Sequence, residues 1–191
     1  IPLMGVNHLQ AHLYAPLMEN KKIKFPFIGL IVSGGHTSLM LVKNFDKYCE
    51  IGRTTDDAVG EAFDKVAKIL NLGYPGGPVI EKLARQGSPE KIKFPKTLLG
   101  TDSLDFSFSG IKTAVLYYTQ QHAKYDVRST MYDICASFQE SVVDVIVEKS
   151  IRACKQENLN TLVVGGGVSL NFRLREKLTS ECNKFRIKAY F

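Results

Sequence analysis

Two apolar runs end on clustered glycines, and no other feature constrains the chain as tightly. Phe27 to Val32 is continuously apolar and breaks at Ser33-Gly34-Gly35-His36-Thr37. Thr161 to Val164 is short and apolar and breaks at Gly165-Gly166-Gly167. Runs of this length, bounded by turn residues, predict buried strands. Adjacent glycines at a strand end carry no Cβ, so backbone N–H groups can face an anion at close range. At the second loop a helix is predicted from near Ser169, and a helix N-terminus favours phosphate. Either loop alone could be an ordinary tight turn.

The rest of the chain supplies the setting. Ser38 to Val42 and Tyr48 to Thr54 read as further strands, and Ile187 to Tyr190 as the last. From Asp57 to Leu70, the residues Val59, Ala62, Phe63, Val66, Ile69 and Leu70 recur at helical spacing. Helices are also predicted from Pro78 to about Arg85, with Pro in the first position, and over Ile111–Gln121 and Ser129–Gln156. Strands alternating with helices predict an α/β domain. Its 191 residues, 45% hydrophobic and 23% charged, suffice for a core without staples. The four cysteines, Cys49, Cys135, Cys154 and Cys182, form no C-x-x-C pair, which favours a reduced compartment over a disulfide framework. No run is long enough for a membrane helix. The net charge of +6 can draw a polyanion such as RNA, although basic proteins that bind none share it. The chain opens on Ile1, and its true N-terminus is expected to lie upstream.

Three clusters carry candidate chemistry. His8 and His12 stand four apart, so on a helix both imidazoles project to one side and can share a metal ion. Leu9 occupies the place of the general-base Glu in zinc-protease helices. A surface or hydrogen-bonded pair is the alternative. Asp56, Asp57, Glu61 and Asp64 share the polar side of the Asp57–Leu70 helix, which would suit a solvated face. Gly60 among them costs about 1 kcal/mol against Ala, and a close approach by a ligand or another backbone would explain it. The turn Tyr74-Pro75-Gly76-Gly77-Pro78 follows, so acids and turn could wall one cleft. Two glycine loops in one α/β domain suggest the nucleotide cleft of the actin, sugar-kinase and Hsp70 superfamily. Phosphate-hydrolysing members usually place an Asp where Ser33 stands here, which argues against a kinase or ATPase.

Taken together, these residues resemble the TsaD family, also called Gcp or YgjD and formerly O-sialoglycoprotein endopeptidase or glycoprotease. The resemblance rests on Asn7-His8 through His12, Val32 to Thr37, Asp56 to Lys65, Tyr74 to Pro78, Phe106 to Thr113 and Gly166 to Asn171. His36 and the Asp56-Asp57 pair resemble the bacterial and organellar branch. The resemblance implies an actin-like fold of two lobes, with residues 1–26 ending the first lobe and 27–191 forming a truncated second. It implies transfer of a threonylcarbamoyl group from threonylcarbamoyl-adenylate to N6 of adenosine 37 in tRNAs reading codons that begin with A. It implies a divalent metal, iron or zinc, on His8 and His12, with an Asp beyond Phe191 as third ligand. The adenylate falls to Ile31, Val32, Ser33, Gly34, Gly35, Asp64, Gly77 and Asn171. Implied partners are tRNA, a TsaB-like paralogue and a TsaE-like ATPase, in the cytoplasm, or in mitochondria for a eukaryotic source. The rival readings are a metal-dependent glycoprotease, a sugar kinase or ATPase, and a non-catalytic actin-like partner subunit.

Overall fold

The computed structural model describes residues 1–3, 5–100, 102–122 and 127–191. Its centre is a five-stranded sheet of β1 (Phe27–Val32), β2 (Thr37–Asn44), β3 (Lys47–Arg53), β4 (Thr161–Gly165) and β5 (Lys188–Tyr190). The order is β3-β2-β1-β4-β5. β1–β2 and β2–β3 pair antiparallel, whereas β1–β4 and β4–β5 pair parallel. β1 is therefore central, and all six of its residues are buried. That explains its unbroken apolar run, since a strand covered on both faces shows no alternation.

The two faces divide β1 by the strand period of two. Ile28, Leu30 and Val32 join Leu39, Leu41, Leu162 and Val164 in the main core. Over this face lie α2 (Val59–Ile69), α3 (Gly76–Ala84), α4 (Ser109–Gln121), α5 (Val127–Gln156) and α6 (Phe172–Lys184). On the other face Phe27, Ile31, Met40, Val42 and Val163 surround Leu13 of α1 (His8–Glu19). Gly29 makes room for it, because a Cβ there would come within 2.1 Å of Leu13 Cδ1. Residues 1–26, expected to end another lobe, thus contribute a helix that packs on this sheet.

Two helix starts differ from the sequence expectation. α3 begins at Gly76, with Pro75 as N-cap residue, two residues before Pro78. The Gly76 N–H donates to Asp64 Oδ1 at 2.7 Å, and a Cβ at Gly76 would meet Phe63 O at 2.6 Å. The contact with α2 therefore sets this start. After the second glycine loop the chain makes a 3-10 turn over Gly167–Leu170, and α6 opens only at Phe172. Asn171 caps it, its Oδ1 accepting the Leu174 N–H at 2.9 Å. No helix among the described residues is long and apolar enough to cross a membrane.

Candidate functional site

The first glycine loop is built as a cap for α2. Within the loop, Ser33 N–H donates to His36 O at 2.8 Å, and His36 N–H to Ser33 Oγ at 3.0 Å. The first N–H groups of a helix have no partner inside it. Here Val59 N–H donates to Thr37 Oγ1 at 2.8 Å and Gly60 N–H to Ser33 O at 3.1 Å. A Cβ at Gly60 would stand 2.7 Å from Gly34 Cα and 2.8 Å from Ser33 O. The close approach inferred for Gly60 is therefore to another backbone, that of Ser33-Gly34.

The second glycine loop lies beside the first. β1 and β4 pair with Ile31 against Gly165, so both strands end at one edge of the sheet. Gly166 has φ +98°, and a Cβ there would fall 2.3 Å from Val32 O. Gly34, Gly60, Phe63, Asp64, Tyr74, Gly77, Gly167, Val168, Leu170 and Asn171 line one cavity of about 320 Å³, completed by Pro75, Pro78 and Glu81. Gly34, Gly77 and Gly167 present bare backbone, with no heavy atom within 4 Å of where a Cβ would sit.

Of the adenylate residues expected from sequence, Gly34, Asp64, Gly77 and Asn171 share this cavity. Ile31 and Val32 are fully buried in β1, so only their backbone can serve a ligand. Ser33 is 7% exposed, and its hydroxyl closes the loop. Gly35 lies on the loop outside the lining. Asp64 uses one oxygen to hold Gly76 N–H. Asn171 is 7% exposed and already engaged, donating through Nδ2 to Gln139 Oε1 at 2.9 Å and Glu81 Oε2 at 3.3 Å. Glu81 also accepts Phe172 N–H at 3.2 Å, which fixes where α6 starts. Sequence reasoning missed Glu81, because nothing in its spacing from Pro78 shows that α3 meets Asn171.

Asp56 and Asp57 lie outside the cavity lining. Asp56 accepts from Ser107 Oγ at 2.5 Å, Phe108 N–H at 2.8 Å and Ser109 Oγ at 2.7 Å. Burial opposes its ionisation, but these donors outweigh burial and hold the carboxyl below its ordinary value. Asp57 receives Lys65 Nζ at 2.5 Å and Lys112 Nζ at 2.8 Å, and its carboxyl is likewise lowered against the opposing effect of burial. The pair therefore locks the Phe106–Thr113 segment and α4 to the start of α2.

His8 and His12 stand one turn apart on α1, with ring centroids 4.4 Å apart. His36 of the first glycine loop faces His8 at 5.8 Å, a neighbour that the i, i+4 spacing could not reveal. Partial burial, and then the charges His8 and His36 would carry, lower the pKa of His12 and favour its neutral, ligating form. α1 sits close to the second loop, since a Cβ at Gly165 would fall 2.1 Å from His12 O. Two imidazoles in this arrangement fit a divalent ion as part of a ligand set. Among the described residues, no group of three or more His, Cys, Asp or Glu is disposed to hold an ion.

Comparisons with known proteins agree with this geometry. Among solved structures, full-length HypF in its phosphate- and nucleotide-bound form superposes with a TM-score of 0.74 at 14% identity, over 100% of this chain and 40% of HypF. Component A of (R)-2-hydroxyglutaryl-CoA dehydratase from Acidaminococcus fermentans gives 0.56 at 16% identity, over 95% and 60%. At such identities the likeness concerns the fold, which is actin-like. A tRNA N6-adenosine threonylcarbamoyltransferase of Clostridium botulinum is 49% identical over 183 residues, 96% of this chain and 54% of the relative. The protein of that name from Trichlorobacter lovleyi is 50% identical over 188 residues, 98% and 55%. That from Clostridium kluyveri is 46% identical over all 191 residues and 56% of its own length. The chain thus spans about half the length of the curated relatives it matches. The family model described as TsaD, tRNA N6-adenosine threonylcarbamoyltransferase, matches residues 1–191, and the chain belongs to that family.

Proposed function

We propose that this chain carries the adenylate cavity and two metal ligands of an enzyme that transfers a threonylcarbamoyl group from threonylcarbamoyl-adenylate to N6 of adenosine 37 of tRNA. The observation that carries the reading is the single cavity shared by Gly34, Gly167, Asp64 and Gly77, with the imidazoles of His8, His12 and His36 grouped at the first glycine loop.

The donor substrate is a mixed anhydride and already activated, so no protein nucleophile is required. The open amides at the glycine loops accept the phosphate, at sites where no side chain intrudes. Asp64 has one oxygen tied to Gly76, which leaves the other to accept from a ribose hydroxyl. Asn171, held by Gln139 and Glu81, shapes the floor on which the nucleoside rests. His8 and His12 supply two donors to iron or zinc, the third ligand coming from outside these residues. That ion, when bound, polarises the acyl group. The adenosine amine attacks the acyl carbon and AMP departs, its charge stabilised by the loop amides. Partners on this reading are tRNA, a TsaB-like paralogue and a TsaE-like ATPase, in the cytoplasm.

The test is reconstitution of the full-length protein with those two partners, threonylcarbamoyl-adenylate and tRNA, with the modified nucleoside detected by mass spectrometry. Wild type modifies the tRNA, and Asp64→Ala lowers the yield by ten-fold or more. A wild-type protein that leaves the tRNA unmodified while its partners and substrate prove competent with a homologous enzyme refutes the reading.

A further inference from the structure

The cavity residues divide into two chemistries, and the proposed function uses only the polar part. Gly34, Gly167, Gly77 and Asp64 suit a phosphate and a sugar. Phe63, Tyr74, Pro75, Val168 and Leu170 are apolar and have no role in that scheme. Two of these are unusual in exposure. Tyr74 is 84% exposed and Leu170 72%, although both line a concave site. Large apolar side chains left in water at a cavity mouth mark a surface awaiting an apolar partner.

Their backbones are held in place. Tyr74 stands between Gly73, at φ +91°, and Pro75, which precedes α3. Leu170 ends the 3-10 turn and is followed at once by Asn171, whose side chain is fixed by three hydrogen bonds. The two exposed side chains thus come from different, well-anchored turns. Tyr74 also borders a neighbouring hollow lined by Lys65, Lys68 and Asn71, so it stands as a partition between two open spaces. A flat, apolar ligand face with a polar edge meets what these residues offer, and a nucleobase is such a group. Base stacking on an aromatic side chain tolerates many geometries and needs no hydrogen-bond readout.

We propose that Tyr74, with Leu170 and Val168 from the second glycine loop, clamps the base of the bound purine nucleotide. Tyr74 is then a residue that sets affinity for the base, distinct from the groups that hold the phosphate and ribose. The inference rests on the adenylate reading of the cavity.

The experiment measures binding of AMP and of ribose 5-phosphate to the full-length protein by titration calorimetry, for wild type, Tyr74→Ala and Tyr74→Phe. Thermal midpoints serve as the control for folding, and an 84% exposed side chain should leave them unchanged. Tyr74→Ala should weaken AMP by about ten-fold, in line with stacking energies measured at other aromatic platforms. It should leave ribose 5-phosphate unaffected, and Tyr74→Phe should restore AMP affinity. Unchanged AMP affinity in Tyr74→Ala, or an equal loss for both ligands, overturns the clamp while leaving the adenylate cavity standing. Unchanged AMP affinity with weakened tRNA binding also overturns it, and transfers Tyr74 to the RNA. Absence of AMP binding by the wild-type protein overturns the adenylate reading itself, and the clamp with it.

Discussion

Replacing Gly60 by Ala tests whether the first glycine loop is pinned by α2. Helix propensity favours Ala by up to about 1 kcal/mol. The structure opposes this, because the new methyl would lie 2.7 Å from Gly34 Cα, 2.8 Å from Ser33 O and 3.0 Å from Gly34 N. All three are backbone atoms, so no side chain can swing aside. Carbon atoms rest about 3.5–4.0 Å apart, so the loop must retreat by about 1 Å. Overpacking of this kind costs about 1–3 kcal/mol. The retreat also stretches the 3.1 Å bond from Gly60 N–H to Ser33 O. The net expectation is a loss of about 1–2 kcal/mol, or a fall of about 2–8 °C in the melting midpoint for a chain of this size. Because the loop carries Gly34 into the cavity, AMP should also bind several-fold more weakly. Differential scanning calorimetry and AMP titration read the two effects separately. A Gly60→Ala protein that melts at or above the wild-type temperature and binds AMP equally would show that the loop yields freely, and would refute the capping argument.

Other perturbations follow from the same contacts. Thr37→Val removes the acceptor of Val59 N–H at a buried position and should cost about 1–3 kcal/mol in chemical denaturation, whereas Thr37→Ser should recover most of it. Lys149 is fully buried and donates to Leu98 O at 2.8 Å and Ser103 O at 2.9 Å. Lys149→Met keeps the bulk but orphans both carbonyls, so proteolysis should reach the 98–103 segment sooner than in wild type. Hydrogen bonding from Arg173, opposed by burial and reinforced by Lys177, holds the Glu140 carboxyl down at about 2, against 4.5 when unperturbed. Its folded pKa is depressed, so its contribution is complete above about pH 4.5 and is lost as pH falls toward 2. Glu140→Gln should therefore flatten the acid limb of the stability curve. In the full-length protein, His8→Ala and His12→Ala should each lower metal content with little change in melting temperature, and equal content in all three proteins would end the metal-site reading.

Much of this molecule was legible in its residues. The apolar run Phe27–Val32 and the period of the α2 stripe report burial directly, because a strand covered on both faces and a helix covered on one must be written that way. The glycine clusters marked where backbone would be bare, and the family followed from the motifs that carry them. What the residues could not say is which groups meet. Gly60 declared a close approach without naming the partner, which is the Ser33-Gly34 backbone. Asp56 and Asp57 looked equivalent to Asp64, yet only Asp64 lines the cavity, while the other two bind a segment some fifty residues away. Asn171 read as a ligand group, and its amide is already engaged by Gln139, Glu81 and the first turn of α6. His36 reaches His8, and Glu81 reaches Asn171, only because the sheet order sets β1 beside β4. Spacing along a chain specifies neighbours within one helix or strand. Contacts between elements depend on the register of strands and the seating of helices, and those are decided only when the whole core packs.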